Sequence, residues 1–186
     1  PSDSAEVFAE SDGCIRINGA GAWSTIDDAL EDAMSGDVIY LCAGTYDERV
    51  VIEKSVTIKG PNTGEAAIII GPDDDSAISV RADDVTLSWI SIQSQDVGVF
   101  VRGVDNTLIQ AVRVEGAQTS SVRAVGSTNL TLQASHFQNA ASTAFMIDEE
   151  GTATLLNNTF EAVVGYAVRE SGGATVTLTD NEFTDT

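Results

Sequence analysis

The feature that most constrains this chain is a leucine that recurs at intervals of roughly 22 residues, a spacing typical of repeat architectures. Each leucine ends a short segment with a Thr-Leu core, and a second apolar residue follows it five or six positions later. The leucines are Leu87, Leu108, Leu132, Leu155 and Leu178. A unit of this length cannot bury its apolar face alone, so it must stack on copies of itself.

Two further apolar ladders share this period. One is Ile92, Val114, Phe137, Phe160 and Phe183, and the other is Val80, Val101, Val122, Phe145 and Val168. Three alternating segments per repeat indicate three short strands per coil, where a coil is one turn of a solenoid. Leucine-rich repeats need a denser leucine pattern. We therefore predict an all-β fold, a parallel β-helix of about seven coils, right-handed as such connections nearly always are, with the leucines stacked inward.

One polar ladder accompanies the apolar ones. Asn158 and Asn181 recur one coil apart, just before the phenylalanines of the second ladder. Side-chain amides donate and accept hydrogen bonds, and stacked copies can bond to one another. We expect these two residues to form a hydrogen-bonded ladder along a tight turn.

The N-terminal part of the chain contains a helical pattern. Ser24 is a suitable N-cap with Asp27 three residues later, apolar residues follow at helical spacing, and Gly36 ends the pattern. An open end of a β-helix would expose unpaired backbone groups and apolar side chains. We therefore predict an α-helix over residues 25–35 that caps the N-terminal end.

The whole chain, residues 1–186, is predicted to be a single β-helix domain. Residues 1–37 would supply an N-terminal strand and the capping helix, and residues 38–186 the coils. The final Phe183-Thr-Asp-Thr falls within a coil, with no second cap after it. We expect the chain to be part of a longer protein or to make an end-to-end contact through this coil.

Charge restricts the partners. The chain has 29 acidic and 9 basic residues, a formal charge of −20 and a pI near 4.1. Nucleic acids and anionic membranes require a basic surface, so we exclude both as partners. No segment approaches the roughly 20 apolar residues of a membrane span, and Pro1-Ser-Asp-Ser does not begin a signal peptide. The acidic surface suits extracellular or salty water, although secreted acidic domains are common without salt adaptation.

The two cysteines permit one disulfide but do not require it. Stacking Ile15 on Ile39 as parallel strands places Cys14 and Cys42 four positions apart, roughly 13 Å at the rise of a strand. That separation is beyond disulfide reach. We therefore expect the two cysteines not to be neighbours.

Four segments near the N-terminus carry a family resemblance. They are Trp23-Ser-Thr-Ile-Asp-Asp-Ala-Leu, Gly36-Asp-Val-Ile-Tyr-Leu, Gly44-Thr-Tyr-Asp-Glu and Val56-Thr-Ile-Lys-Gly-Pro. Together with the period, they resemble right-handed parallel β-helix proteins of the pectin-lyase-like superfamily, in particular carbohydrate-binding and sugar-hydrolase repeats and pectin methylesterases. The resemblance implies the fold and not the function, because this fold also carries lyases, epimerases, adhesins and stalks.

The enzymes of that superfamily imply residues that are largely missing here. No strand matches the Asp-Phe-Ile-Phe-Gly-like element of the methylesterases, and the polygalacturonase elements leave only Asp83-Asp84, which a turn explains. Calcium-dependent lyases need carboxylates on neighbouring coils. The outward positions that stack are predicted to be Asp83, Val104, Val125, Asp148 and Ser171, which form no such cluster. We therefore predict no catalytic residues.

Two other polar features have a simple interpretation. His136 is predicted to point outward between Arg113 and Thr159, and without a partnered carboxylate it is interpreted as a surface residue. Asp73, Asp74 and Asp75 lie in an unusually long coil. These carboxylates could bind calcium, the one cofactor we consider, but a calcium site also needs spaced ligands. A solvated loop tip is the alternative.

Arginines form the main candidate ligand-binding site. The residues that follow the third-ladder apolar positions are Arg81, Arg102, Arg123, Met146 and Arg169. If the four arginines share one outward column, neighbouring side chains lie roughly 4.8 Å apart. Guanidinium groups bind carboxylates and sulfates, so the column could hold an anionic polysaccharide. Alternatively, neighbouring carboxylates such as Asp83, Asp148 and Glu170 neutralise it.

Three functions remain open. The leading hypothesis is a secreted or cell-surface module for carbohydrate binding or adhesion, without catalysis of its own. The alternatives are a polysaccharide lyase or hydrolase whose catalytic coils lie beyond this chain, and a structural stalk or assembly unit. Glycan binding would separate the first two from the third, and digestion of acidic polysaccharides would separate the first from the second.

Overall fold

The computed structural model describes residues 14–186, which form a solenoid of short β-strands in three sheets with one helix. The first sheet contains nine strands. They are β1 (Ile15–Ile17), β2 (Ala20–Trp23), β3 (Val38–Tyr40), β6 (Thr57–Lys59), β9 (Thr86–Ser88), β12 (Leu108–Gln110), β15 (Leu130–Gln133), β18 (Thr152–Leu156) and β21 (Thr175–Thr179).

The second and third sheets contain seven and six strands. The second consists of β4 (Gly44–Asp47), β7 (Ala67–Ile70), β10 (Ile90–Gln93), β13 (Arg113–Glu115), β16 (His136–Gln138), β19 (Thr159–Glu161) and β22 (Glu182–Thr184). The third consists of β5 (Val50–Ile52), β8 (Ile78–Val80), β11 (Val97–Arg102), β14 (Ser120–Val125), β17 (Thr143–Asp148) and β20 (Tyr166–Glu170).

Each coil takes one strand from each sheet in turn. The first coil is β3, β4 and β5, and the pattern continues to β18, β19 and β20, which gives six complete coils followed by β21 and β22. Pairing between coils is parallel, whereas β1 pairs antiparallel with both β2 and β3. The predicted parallel β-helix is confirmed, with six complete coils where about seven were expected. Residues 1–13 of the predicted N-terminal segment lie outside the described residues.

The leucine ladder is confirmed at most positions but was wrong at Leu108. Ile109, not Leu108, pairs in register with Leu87 and Leu132, and Ile109 is fully buried. The Thr-Leu core of this coil lies one residue earlier than in the others, so Leu108 falls on the outward side. With Ile109 in place of Leu108, the spacing from Leu87 to Leu132 becomes nearly even.

The second ladder is confirmed throughout. Val114 pairs with Ile92 on one side and Phe137 on the other, and the pairing continues to Phe183. The rings of Phe137, Phe160 and Phe183 stack with centroids 5.2 and 5.1 Å apart. The corners before the strands of these three phenylalanines contain only two residues each, which holds the register constant from coil to coil.

The third ladder combines two columns, so this prediction was wrong in its register. Val101 pairs with Val80 and Ala124, whereas Val122 pairs with Val99 and Phe145. The partner of Val101 on β14 is therefore two positions further along the chain than the predicted Val122. A shift of two residues keeps a side chain on the same face of the sheet, so alternation alone could not show it.

The predicted asparagine ladder is confirmed. Asn158 Nδ2 donates to Asn181 Oδ1 at 3.0 Å, and the Asn181 oxygen also accepts from the Asn158 backbone N–H at 2.9 Å. In the coil before, Asn158 Oδ1 accepts from the backbone N–H of Ser135 at 2.9 Å. These bonds satisfy buried backbone groups at the corner between the first and second sheets.

The helix α1 (Ile26–Asp32) covers the N-terminal end of the core, as predicted, although it is shorter than residues 25–35. Its N-cap is Thr25 and not Ser24, because the Thr25 hydroxyl accepts a hydrogen bond from the Asp28 N–H. Ile26 and Leu30 are buried against the first coil. The apolar spacing thus predicted the buried face, and the choice between two adjacent capping residues depended on the local turn.

Side chains from the first coil satisfy both ends of this helix. Glu48 accepts hydrogen bonds from the Ile26 N–H at 3.0 Å and from the Asp27 N–H at 3.2 Å. Lys54 Nζ donates to the carbonyl oxygens of Leu30, Glu31 and Ala33 at 2.9, 2.7 and 2.7 Å. A negative charge at the N-terminus of a helix and a positive charge at its C-terminus both interact favourably with the helix dipole and stabilise the helix.

Cys14 and Cys42 form a disulfide, so the expectation that they are not neighbours was wrong. Their Cα atoms are 5.9 Å apart. The error came from assuming parallel stacking of β1 on β3. The two strands are antiparallel, with Arg16 opposite Tyr40, and continuing that register places Cys14 opposite Cys42.

Candidate functional site

The four candidate arginines lie on the outer face of the third sheet, but in two columns. Arg81 and Arg102 directly follow Val80 and Val101, which pair with each other, so the two arginines are neighbours on adjacent coils. The next residue in that column is Val125 and not an arginine. Both Arg81 and Arg102 are exposed.

The other two arginines belong to the adjoining column. Arg123 pairs in register with Phe100 on one side and Met146 on the other, and Met146 pairs with Arg169. The expectation of one column of four arginines was therefore wrong. Its cause is the two-residue shift between β11 and β14, which moves Arg123 sideways on the same face.

Three of the arginines have partners on this face. Arg123 lies 3.8 Å from an Asp148 carboxylate oxygen, and its guanidinium carbon is 5.9 Å from the centre of the Phe100 ring. Arg169 lies 5.8 Å from the centre of the exposed Tyr166 ring. These contacts place guanidinium groups beside aromatic faces, where cation–π attraction holds them.

Arg81 and Arg102 differ in whether a carboxylate lies near the guanidinium group. Arg81, the third arginine with a partner, lies 3.5 Å from a carboxylate oxygen of Glu53, and both side chains of that pair are more than half exposed. Among residues 14–186, no carboxylate lies within ion-pair distance of Arg102. Of the predicted carboxylates, Asp148 lies near Arg123, whereas Arg81 pairs with Glu53, which was not predicted, and the Arg102 charge is left available.

The run of three aspartates lies in the connection between β7 and β8. Asp75 accepts a hydrogen bond from the Ser76 N–H at 2.7 Å and pairs with Arg49, whose Nε is 3.0 Å from Asp75 Oδ2 without hydrogen-bond alignment. Within the described part of the chain, no group of three or more His, Cys, Asp or Glu side chains is arranged to hold a metal ion. Asp75 therefore helps to anchor the loop.

His136 points outward between Arg113 and Thr159, as predicted. The interpretation that it has no carboxylate partner was wrong, because His136 Nε2 lies 2.9 Å from Glu161 Oε2. The residue that pairs with His136 on the next coil is Thr159, and Glu161 lies two positions beyond it on the same face. The repeat period could therefore have revealed this pair.

A polar corner between the third and first sheets was also missed. Asp83 accepts a hydrogen bond from the Asp105 N–H at 2.8 Å, so two carboxylates lie on neighbouring coils where none were expected. Thr128 donates its hydroxyl proton to Asp105, and Asn106 donates to Asp84 at 2.9 Å. These bonds confirm the turn interpretation of Asp83-Asp84 and extend it into a second ladder.

At the other end of the predicted stack of outward positions, Val125 and Asp148 are paired as expected, and Ser171 donates its hydroxyl proton to Asp148.

Among the residues described, no helix is long and apolar enough to cross a membrane.

The comparisons with solved structures agree with this architecture. A candidate glycosyl hydrolase from Parabacteroides merdae is similar over 84% of this chain and 84% of its own, with 13% identity and a TM-score of 0.68. A pectin methylesterase variant in complex with a hexasaccharide matches over 82% of this chain and 64% of its own, with 16% identity and a TM-score of 0.62. A rhamnogalacturonan lyase matches over 81% and 58%, with 12% identity and a TM-score of 0.57.

At these identities the likeness shows the fold alone, and this chain spans less than two thirds of the methylesterase and of the lyase. No curated protein sequence matches the chain significantly. The family described as "Right handed beta helix region" matches residues 13–183. The resemblance to pectin-lyase-like proteins is thereby confirmed at the level of fold, and the chain belongs to the right-handed β-helix family.

Proposed function

We propose that this chain is a polysaccharide-binding module, secreted or displayed on a cell surface, that holds an acidic polysaccharide against the outer face of its third sheet. The observation that carries the proposal is the pair formed by Arg81 and Arg102 on adjacent coils. Arg81 is paired only with the exposed Glu53, and Arg102 with no carboxylate among residues 14–186, so an anionic ligand can approach both guanidinium groups from solution. In a chain of charge −20, an arginine without a carboxylate partner is an unusual feature.

The geometry of the pair suits a chain of uronic acids. Neighbouring strands are about 4.8 Å apart, so the two guanidinium groups can bind two carboxylate oxygens or one carboxylate and a ring hydroxyl. Beside Arg169, three coils from Arg102, the exposed Tyr166 ring offers an apolar surface on which a sugar ring can rest. The pair would thus fix the charge of the ligand, and the aromatic side chain would add contact area.

The known proteins with this fold support the ligand class. Two of the similar structures are named for enzymes of pectin and rhamnogalacturonan, and one of them holds a hexasaccharide. The Cys14–Cys42 disulfide supports an oxidising location outside the cytoplasm. No catalytic role is assigned to the arginine face.

The test is a calorimetric titration of the wild type and the variants with polygalacturonate oligomers at low salt. We expect Arg102→Ala to weaken binding about fivefold, roughly 1 kcal/mol, and Arg81→Ala/Arg102→Ala to weaken it further. Arg113→Ala removes another exposed guanidinium, from the second sheet, and should leave the affinity unchanged. Added salt should weaken binding to wild type.

Equal losses in Arg102→Ala and Arg113→Ala would mean that binding depends on charge alone, and the proposed face would be wrong. Release of reducing ends or unsaturated products from the oligomers by the wild-type chain would instead make it an enzyme.

A further inference from the structure

The outer face of the second sheet, away from the arginines of the third sheet, carries a groove. It consists of two adjoining depressions of about 310 and 250 Å³, which have Gln93 and Glu115 in common. The first extends to Asp73 and the second to Ile68 and Arg113. We call this feature the second-sheet groove; it crosses β7, β10 and β13.

The two longest connections of the coils lie on either side of β7, and the second of them borders the groove through Gly71 and Asp73. Residues 60–66 precede β7 and residues 71–77 follow it, whereas the other connections between described coil strands contain at most five residues. The loop 71–77 is closed at its base, where a Cβ added to Gly71 would lie 2.5 Å from the Ala77 Cβ. The Asp75–Arg49 pair fixes its far side. The groove therefore has a built wall.

The side chains in the groove are mixed donors and acceptors with a net negative charge, from Arg113 against Asp73 and Glu115. Arg113 Nε lies 3.9 Å from Glu115 Oε2, so its charge is offset within the groove. Ser91 and Gln93 add a hydroxyl and an amide, each of which both donates and accepts. Asp73 and Glu115 would repel an anionic ligand.

Beyond the groove the same face continues with polar pairs. His136 and Glu161 are 2.9 Å apart on the next two coils, in the columns that contain Arg113 and Glu115. Five strands from β7 to β19 span about 19 Å, which is longer than a single sugar ring. A ligand that uses this length must be extended, and a chain of hydroxyl-bearing units can bond to the donors and acceptors along it.

From these observations we infer that the second-sheet groove is a second binding site, and that it takes a neutral polysaccharide. Each sugar hydroxyl donates one hydrogen bond and accepts others, which matches the alternation of guanidinium, carboxylate, amide and hydroxyl groups. Ile68, on the groove floor, can contact the apolar face of a sugar ring. The carboxylates of Asp73 and Glu115 disfavour a uronic acid chain here, because their negative charge is opposite to the positive charge of the Arg81–Arg102 pair.

Affinity electrophoresis of the purified chain tests the inference. Gels would contain galactan, arabinan, xylan or mixed-linkage glucan, with polygalacturonate and chitosan as charged comparisons. We expect at least one neutral polysaccharide to retard the wild type. Gln93→Ala and Arg113→Ala should each raise the dissociation constant for that polysaccharide about tenfold. Both side chains are exposed, so the variants should keep the wild-type melting temperature.

Arg102→Ala is the matched control, because it removes one exposed guanidinium from the other face. It should leave retardation by the neutral polysaccharide unchanged while weakening polygalacturonate binding, and Arg113→Ala should do the opposite. A failure of either site is therefore seen separately. The inference is overturned if none of the four neutral polysaccharides binds, if chitosan alone binds, or if Arg102→Ala and Arg113→Ala weaken neutral binding equally.

A second readout locates the contact. In a nitrogen–proton correlation spectrum, the side-chain amide signal of Gln93 should shift on addition of the retarding polysaccharide. Binding without any change at Gln93 would place the ligand elsewhere and contradict the inference.

Discussion

The two ends of the solenoid use the same columns of side chains and differ in what covers them. At the N-terminal end, where α1 packs against β1, β2 and β5, Ile39 is fully buried. In the last strands, Leu178 and Phe183 are 49% and 45% exposed, although Leu155 and Phe160 in the same columns are fully buried. In a solenoid, burial is therefore decided by the neighbouring layer and not by the residue type alone.

The polar groups of the two ends differ in the same way. The N-terminal end joins α1 to the first coil through Glu48 and Lys54, so the orphan amides and carbonyls of the helix have partners. The strands β21 and β22 each have a hydrogen-bonded neighbour on one side. The same substitution should therefore change the free energy of unfolding by different amounts at the two ends.

The largest effect is expected for the leucine column. Leu155→Ala removes a fully buried side chain between two coils and should lower the free energy of unfolding by about 3 kcal/mol. Leu178→Ala, the matched change one coil later, should cost about 1 kcal/mol because half of that side chain is already in water. Urea unfolding of both variants measures the difference. Equal losses would show that the last coil is covered in solution.

A smaller effect is expected for the cation that closes the helix. Lys54→Met keeps the aliphatic stem but removes the donor to three carbonyl oxygens, so unfolding should become easier by about 2 kcal/mol. Lys59→Met is the control, since Lys59 lies 6.0 Å from the centre of the Tyr40 ring on an open face. If thermal melts of the two variants coincide, the bonds from Lys54 do not stabilise the end.

The smallest effect is a pH dependence at the same end. The Met34 N–H and then the Asn18 amide donate to Asp37 and lower the pKa of its carboxyl below the ordinary 3.8. A depressed folded-state pKa gives stability that is complete above the unfolded value and is lost as pH falls through the folded one. Asp37→Asn should therefore lose less stability than wild type on acidification below 3.8.

Urea midpoints of wild type and Asp37→Asn, measured from about pH 5 to about pH 2, would show this difference. Asp74→Asn removes one loop carboxylate and controls for overall charge. Parallel pH profiles for wild type and Asp37→Asn would contradict the assignment.

The fold was predictable where the corners have constant length. The Phe137–Phe160–Phe183 column followed from spacing alone, because the coils that join these residues are equally long. The third ladder was not predictable in this way, because a shift of two residues preserves the inward and outward alternation. The disulfide required the strand direction of β1, which no apolar pattern encodes.

The candidate sites show the same limit. The sequence identified all four arginines, but which of them are neighbours depended on the register between β11 and β14. The His136–Glu161 pair could have been predicted from the repeat period. The second-sheet groove could not, because its wall depends on the folded shape of residues 71–77.

The Cys14–Cys42 bond gives the solenoid a direction of fraying. A covalent link holds the antiparallel β1 to the connection after β3, so in a purified chain of these 186 residues the layers should separate most easily from β22 backward. Backbone amides should then exchange with solvent fastest in β21 and β22 and progressively more slowly toward β3. The Arg81–Arg102 pair and the second-sheet groove lie on the second to fourth coils, so they would remain assembled while the far layers, including Tyr166 on β20, open and close.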